Sequence, residues 1–318
     1  MLSTFKATLS PMLVMFLCIV IGFVLNKKKL CPENSASVLS KLENNVLIPA
    51  LVINTFMKYC TVASLKEQYK LVLLSVLAVL IAIALAYPLS KLFEKKGYKQ
   101  NIYRYAMAFG NFGFMGNAIV PAILGSEALY NYMLFTLPLN IAVYTWGASI
   151  LIPKENKPDD GKKQNPLLRL LNPAMVSIAL GAVLGLTGAE AVIPAFITTT
   201  LGNLAACMGP LAMVLTGFVI GGYDVMALIK NKKVYAASFL RLFILPALFI
   251  GLMMLLGADD QTVTYALFAY ATPLGLNTVV FPAAYGGDTS TGASMAMISH
   301  TVCVVTIPLM YALLLMIL

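Results

Sequence analysis

The chain has 318 residues, of which 60% are hydrophobic and only 11% charged, with a mean hydropathy of +0.85 and a formal net charge of +9. Soluble domains carry about a quarter charged residues, so this composition excludes a water-soluble fold and implies a polytopic membrane protein. One histidine, His300, and five scattered cysteines without a CxxC pair (Cys18, Cys31, Cys60, Cys207, Cys303) exclude a histidine cluster, a disulfide framework and a zinc site.

The first apolar run, at 8–25, is stopped by Lys27, Lys28 and Lys29 and has no small-residue cleavage pattern, so it reads as a retained spanning helix. Further runs follow at 37–57, 71–90, 102–124, 129–152, 173–189, 193–222, 234–257, 262–284 and 291–316. That makes ten, each taking the roughly 20 residues a bilayer needs. Ten crossings place eighteen Lys and Arg residues on one side, including Lys27 to Lys29, Lys91, Lys95, Lys96, Lys99 and Lys230 to Lys233. The other side receives four, Lys6, Lys58, Lys66 and Lys70. Positive loops stay in the cytoplasm, so both termini are expected outside the cell membrane. Basic residues confined to loops also argue for orientation and against a nucleic-acid partner.

The one substantial loop, 153–172, is mixed in charge and is expected to be a cytoplasmic linker between two five-helix halves. The prolines echo across it. Pro11 pairs with Pro173, Pro49 with Pro210, Pro88 with Pro246 and Pro121 with Pro282, at separations of 158 to 162 residues. Five is odd, so a duplicated second half enters the membrane from the opposite side, giving an inverted repeat with its interface near the midplane.

Two runs would make poor helices. Gly110 to Pro121 holds Gly113, Gly116, Asn111 and Asn117, and Thr272 to Pro282 holds Pro273, Gly275 and Asn277. Gly costs about 1 kcal/mol and Pro about 3 kcal/mol relative to Ala in a helix interior. Non-helical backbone at membrane depth survives only when buried in protein or lining a cavity, which makes these runs a candidate substrate site. A stripe of small residues for helix packing is the alternative for the glycines. Half-helix N-termini offer unpaired N–H groups and a positive dipole end for a carboxylate.

Among other polar residues in the spans, Asn44 and Asn45 lie one turn from Pro49, and Asn45 either lines the pathway or makes a structural bond. Glu43 is a candidate proton-coupling group, or a near-interface carboxylate reaching the headgroups. Arg241 is expected to snorkel to the cytoplasmic face. His300 is a candidate proton carrier or a packing residue. Asn140 and Tyr144, four apart, share a helix face.

The run Asn111-Phe112-Gly113-Phe114-Met115-Gly116 resembles the Asn-x-Gly-x-x-Gly signature of the auxin efflux carrier family, bacterial permeases related to the plant PIN-type carriers. Asn172-Pro173, Pro273-x-Gly275-x-Asn277 and Tyr285-Gly286-Gly287-Asp288 are similar to it as well, and the likeness covers about residues 8 to 314. Two positions depart: the family's proline two places after the second glycine is Ala118 here, with Pro121 later, and the equivalent second proline of helix 9 is Thr278. The resemblance implies an all-α membrane protein of ten transmembrane helices, arranged as two inverted five-helix repeats with broken, crossing helices 4 and 9, the bile acid/sodium symporter-like fold. It also implies a scaffold and dimer-forming part (8–57 and 173–222) and a transport part (71–152 and 234–316) that moves like an elevator.

The expected function is secondary transport of a small organic anion of carboxylate type, such as malate, malonate or auxin. The expected substrate-binding residues are Asn111, Gly113, Gly116, Asn117, Pro121, Pro273, Gly275, Asn277 and Asn45, with Glu43 and His300 as candidates for coupling. No cofactor or metal is expected, and no GxxxxGK[ST] loop is present for ATP. Proton coupling, sodium coupling and uniport all stay open. An intramembrane enzyme is the alternative from another class, with no HExxH or GxSG motif to support it, and a membrane sensor without transport is a third.

Overall fold

The computed structural model describes residues 1–153 and 171–318, with the side chain of Ala284 excepted; the expected linker lies, except for its ends, outside them. Among the described residues the regular structure is helical, joined by short loops, with one isolated bridge between Gly110 and Leu274. In chain order the main helices are α1 (Leu2–Lys27), α2 (Ser35–Tyr59), α3 (Val62–Phe93), α4 (Tyr98–Ala108), α5 (Phe112–Leu124) and α6 (Ser126–Leu151). After the linker come α7 (Pro173–Leu186), α8 (Ala195–Gly221), α9 (Lys232–Leu255), α10 (Asp260–Ala271), α11 (Asn277–Ala284) and α12 (Ser290–Leu314). Seven of them (α1, α2, α3, α6, α8, α9 and α12) are long and apolar enough to cross a membrane unaided, so the chain is a multi-pass membrane protein.

Local chemistry sets the helix starts. Thr61 and Ser64 form a reciprocal capping box at the head of α3, the Thr61 Oγ1 accepting from Ser64 N at 3.0 Å and the Ser64 Oγ from Thr61 N at 2.9 Å. This cap starts α3 well before the apolar run that begins near residue 71. Asn172 caps α7, with Pro173 in the first turn, where its missing N–H costs nothing. Asp259 caps α10 by accepting from Thr262 N at 2.8 Å.

Polar contacts tie the loops into two ends. At the end rich in Lys and Arg, Lys27 donates to Tyr223 O at 2.6 Å and Lys233 pairs with Glu94 at 2.7 Å. Lys99 stands 3.9 Å from Asp288 at the same end, where the Tyr98 hydroxyl donates to Leu151 O. Burial alone would push the Asp288 carboxyl upward, but hydrogen bonds from Ser290 and Thr291 and the Lys99 ammonium outweigh it and hold it below its ordinary range. At the opposite end Lys70 donates to Gly257 O at 2.9 Å, and the hydroxyls of Ser64 and Tyr130 meet at 3.1 Å.

Helix pairing is close where glycine permits it. α1 packs along α8 and α2 along α7. A Cβ on Gly217 of α8 would stand 2.0 Å from the Ile19 carbonyl oxygen of α1, so only glycine lets these two backbones approach. Outward faces carry large apolar side chains, such as Leu13, Leu17 and Ile21 on α1, that match hydrocarbon in place of water.

Three of the long helices contain a wide, π-type turn: Glu43–Leu47 in α2, Val143–Gly147 in α6 and Leu240–Ile244 in α9. In α2 and α9 a proline, Pro49 or Pro246, follows within two residues. A proline lacks an N–H and its ring collides with the carbonyl four residues back, and an inserted residue relieves both. These wide turns also shift helix register, with consequences for Glu43, Asn44 and Arg241 below.

Candidate functional site

Two short non-helical stretches cross at the centre of the molecule. α4 ends at Ala108, and Phe109 is extended with φ −127° and ψ 136°. Thr272, after α10, is extended with φ −64° and ψ 146°. Gly110 pairs with Leu274 in an antiparallel bridge, and Asn111 N donates to Pro273 O at 2.7 Å. A Cβ on Gly110 would lie 2.5 Å from the Arg241 guanidinium and 2.6 Å from Thr272 Oγ1. Gly275 in turn lies over the Gly110 carbonyl, so glycine at these two positions is what lets the segments touch.

Arg241 holds the crossing from behind. The snorkelling expectation fails, because the side chain is 0% exposed. Its wide turn in α9 directs it inward, where Nη1 donates to Met107 O and Ala108 O at 3.4 and 3.5 Å. Nε reaches Thr272 O at 3.4 Å and Nη2 reaches Ala269 O at 3.3 Å. These are carbonyls at the C-terminal ends of α4 and α10, which have no partners within their helices. Each helix end carries roughly half a negative charge, so two together balance one guanidinium. The bonds are long, and the electrostatic match does most of the holding. Tyr270 adds its ring face at 5.7 Å.

On the far side of the crossing the helices resume. α5 opens with a wide turn, Phe112–Gly116, whose Met115 and Gly116 N–H groups bond back to Asn111 O. α11 opens at Asn277. Both N-terminal ends border a narrow cavity of about 70 Å³ that also touches α2, α6 and α7. Asn44, Asn111, Asn117, Asn140, Asn277 and Tyr144 supply most of its polar lining, and no residue lining it carries a formal charge. A second hollow of about 390 Å³ borders the opposite face of α5, between α2 and α8, and reaches Lys58 and Ser126 toward the end poor in basic residues. Asn117 borders both spaces, and its side-chain oxygen is buried without a partner.

The expected site residues separate into groups. Asn111, Gly113, Asn117, Gly275 and Asn277 border the first cavity. Gly113 faces open space, whereas a Cβ on Gly116 would meet the Tyr132 hydroxyl at 2.0 Å, so Gly116 serves packing. Pro121 borders the second hollow and not the first, and Pro273 contributes its carbonyl to the crossing. Asn45 is exposed and spends its amide on Lys41 O at 2.8 Å. Asn44, one residue earlier, takes the cavity position. Asn277 donates to the Tyr105 hydroxyl at 2.8 Å.

Glu43 does not reach the headgroups. It is 0% exposed against α8, and neither carboxyl oxygen has a hydrogen-bond partner. A buried carboxyl without partners weakens the fold, so Glu43→Met is expected to raise the melting temperature of the detergent-solubilised protein by a few degrees. Unchanged transport in Glu43→Gln would remove Glu43 as a coupling group. His300 is 1% exposed and bonded on both ring nitrogens, to Asn111 at 2.9 Å and to Ala296 O at 2.8 Å. Among the described residues no three of His, Cys, Asp and Glu gather as metal ligands.

The sequence reading missed the Arg241 contacts and the phenols of Tyr105 and Tyr132, and it gave Asn45 the pathway position that its neighbour Asn44 holds. The available signal for Arg241 was its standing as the sole arginine well inside a span.

No curated protein matches the chain. Residues 7–311 match a family described as membrane transport protein, which makes this chain a transporter and not an enzyme. With that match spanning nearly all of its length, and with Asn111-x-Gly113-x-x-Gly116 bordering a cavity at the crossing of two interrupted helices, the chain belongs to the auxin efflux carrier family.

Proposed function

We propose that the protein is a secondary transporter of a small organic anion of carboxylate type in the cell membrane. The observation that carries this reading is the convergence of two half-helix N-termini, those of α5 and α11, on one cavity walled by neutral asparagines. A carboxylate there meets unpaired N–H groups and two positive dipole ends, each worth about half a charge, without a fixed cation to trap it. Binding is then strong enough to select anions and weak enough to release them.

The architecture behind this reading is ten crossings in two inverted repeats. α4 with α5 makes the fourth crossing, and α10 with α11 the ninth. The pairing of α1 with α8 and of α2 with α7 supports it, because exchanging the repeats turns one pair into the other. The moving part then comprises 71–152 and 234–316, and the scaffold 8–57 and 173–222, which also forms a homodimer. The cavity borders both parts, with Asn44 and Met175 on the scaffold side. An elevator-like displacement of the crossing would pass Asn117 between the two hollows. Both termini lie outside the cell, and a reporter fused after Leu318 is expected to score as extracytoplasmic.

Purified protein in liposomes tests the function. Labelled malate, malonate or indole-3-acetate is expected to cross under an imposed pH or sodium gradient. Flux of neutral or cationic solutes with none of any anion would overturn the reading.

A further inference from the structure

We infer that the anion travels with a proton, and that His300 and Asn111 form the site where this proton binds and is sensed. The inference rests on the anion-carrier reading above and names its coupling ion.

The hydrogen bonds around His300 fix its tautomer. Nδ1 lies 2.8 Å from Ala296 O, a group that only accepts, so Nδ1 carries the hydrogen. In the neutral ring Nε2 then offers a lone pair, and its partner 2.9 Å away, Asn111 Nδ2, donates to it. One N–H of the Asn111 amide is thereby spent on His300, which does not line the cavity that Asn111 borders. The Asn111 side-chain oxygen is left to face a substrate, and an oxygen acceptor repels a carboxylate.

A proton taken from cavity water onto the Nε2 lone pair reverses this arrangement. Both ring nitrogens now donate, so the Asn111 amide rotates by half a turn, accepts from Nε2–H through its oxygen, and presents NH₂ to the cavity. One N–H bond forms on the ring and one O–H bond of a hydronium ion breaks, leaving neutral water. The site changes from an acceptor to a donor, the polarity a carboxylate requires.

The surroundings make the two events cooperative. Arg241, of α9, places its guanidinium beside Gly110, the neighbour of Asn111, and opposes a second positive charge. The phenols of Tyr105, Tyr132 and Tyr270 lie around Arg241, and Cys303 on α12 donates to His300 O at 3.1 Å. The helices packed against α12 include α1, α4, α8, α9, α10 and α11. The carboxylates on or beside these helices include Asp260, in the first turn of α10 at the far end, and Asp288, just before α12, which accepts from Ser290 and Thr291 and faces Lys99. Besides Arg241 the cations are Arg104 of α4, bonded to Gln100 and Asn101, and lysines at helix ends. Among the described residues His300 is in no ion pair with a carboxylate, so the incoming carboxylate supplies the countercharge. By linkage each ligand then raises the affinity for the other.

Isothermal titration calorimetry of the purified protein with malonate, malate and indole-3-acetate, in buffers of different ionisation enthalpy, counts the protons taken up on binding. The expected result is about one proton per anion, with affinity falling about tenfold per pH unit across the range from about pH 5 to 8. His300→Gln is expected to bind without proton uptake and with affinity independent of pH. Anion binding by the wild-type chain with no proton uptake across that range would overturn the proposal and leave the anion-carrier reading intact. Uptake that persists in His300→Gln would move the proton elsewhere and overturn it too. No binding of any anion at any pH would remove the carrier reading, and the proposal with it.

Discussion

Replacing Arg241 with methionine, which keeps much of the side-chain length and removes the charge, is expected to leave little folded protein after extraction. Four carbonyls, those of Met107, Ala108, Ala269 and Thr272, would lose their shared donor. An unsatisfied buried polar group costs about 1–3 kcal/mol. Ala269 O keeps the Thr272 hydroxyl at 3.1 Å, so three are left bare, and even at the low end they remove about 3 kcal/mol, a large share of the 5–15 kcal/mol that holds a typical fold. The loss would fall on the crossing, since the other side of the same carbonyl cluster is the bridge between Gly110 and Leu274. Arg241→Lys keeps the charge and loses the planar fork that reaches two helix ends at once. It is therefore expected to fold with a melting temperature several degrees lower. Size-exclusion profiles and thermal unfolding in detergent measure both variants. A monodisperse Arg241→Met protein with wild-type stability would show that the guanidinium does not hold the crossing.

Arg241 also shows where sequence reasoning stops. The all-helical, multi-pass character follows from composition and run length alone, since 60% hydrophobic residues admit no other solvent. The non-helical stretches at 109–111 and 272–276 fall within or beside the runs rich in Gly, Asn and Pro, where helix propensity is weakest. What satisfies the freed carbonyls there is a three-dimensional fact. An arginine about ten residues into α9 is as compatible with snorkelling as with an inward clasp, and only the carbonyls of two other helices decide between them.

The same limit explains Asn44 and Glu43. A regular helix predicts facing from sequence spacing at 3.6 residues per turn. The wide turn Glu43–Leu47 breaks that arithmetic, turns Asn44 to the cavity, buries Glu43 against α8 and leaves Asn45 exposed. Pro49 hinted at an irregularity but not at its direction. For Gly113 and Gly116 the sequence left binding and packing both open. The Tyr132 hydroxyl, from a residue sixteen positions beyond Gly116, separates the two roles.

Asn117 is where substrate selectivity is most exposed to a single change. Because its side chain borders both hollows and has no partner on its oxygen, Asn117→Asp alters charge without evicting a neighbour. Two like charges about 4 Å apart repel by about 4 kcal/mol at an effective dielectric of 20. Anion affinity is therefore expected to fall by up to about a thousandfold near neutral pH, while folded yield stays close to wild type. Asn117→Ala removes a single amide and is expected to cost only about 1 kcal/mol, or about fivefold. The pH dependence carries the sign: protonation of the new carboxyl removes the repulsion, so the deficit of Asn117→Asp relative to wild type shrinks as the pH falls, while that of Asn117→Ala stays constant. Anion binding measured for both variants from about pH 5 to 8 separates charge repulsion from lost packing. Equal affinity losses at every pH would place the anion away from Asn117, and with it the route between the two hollows.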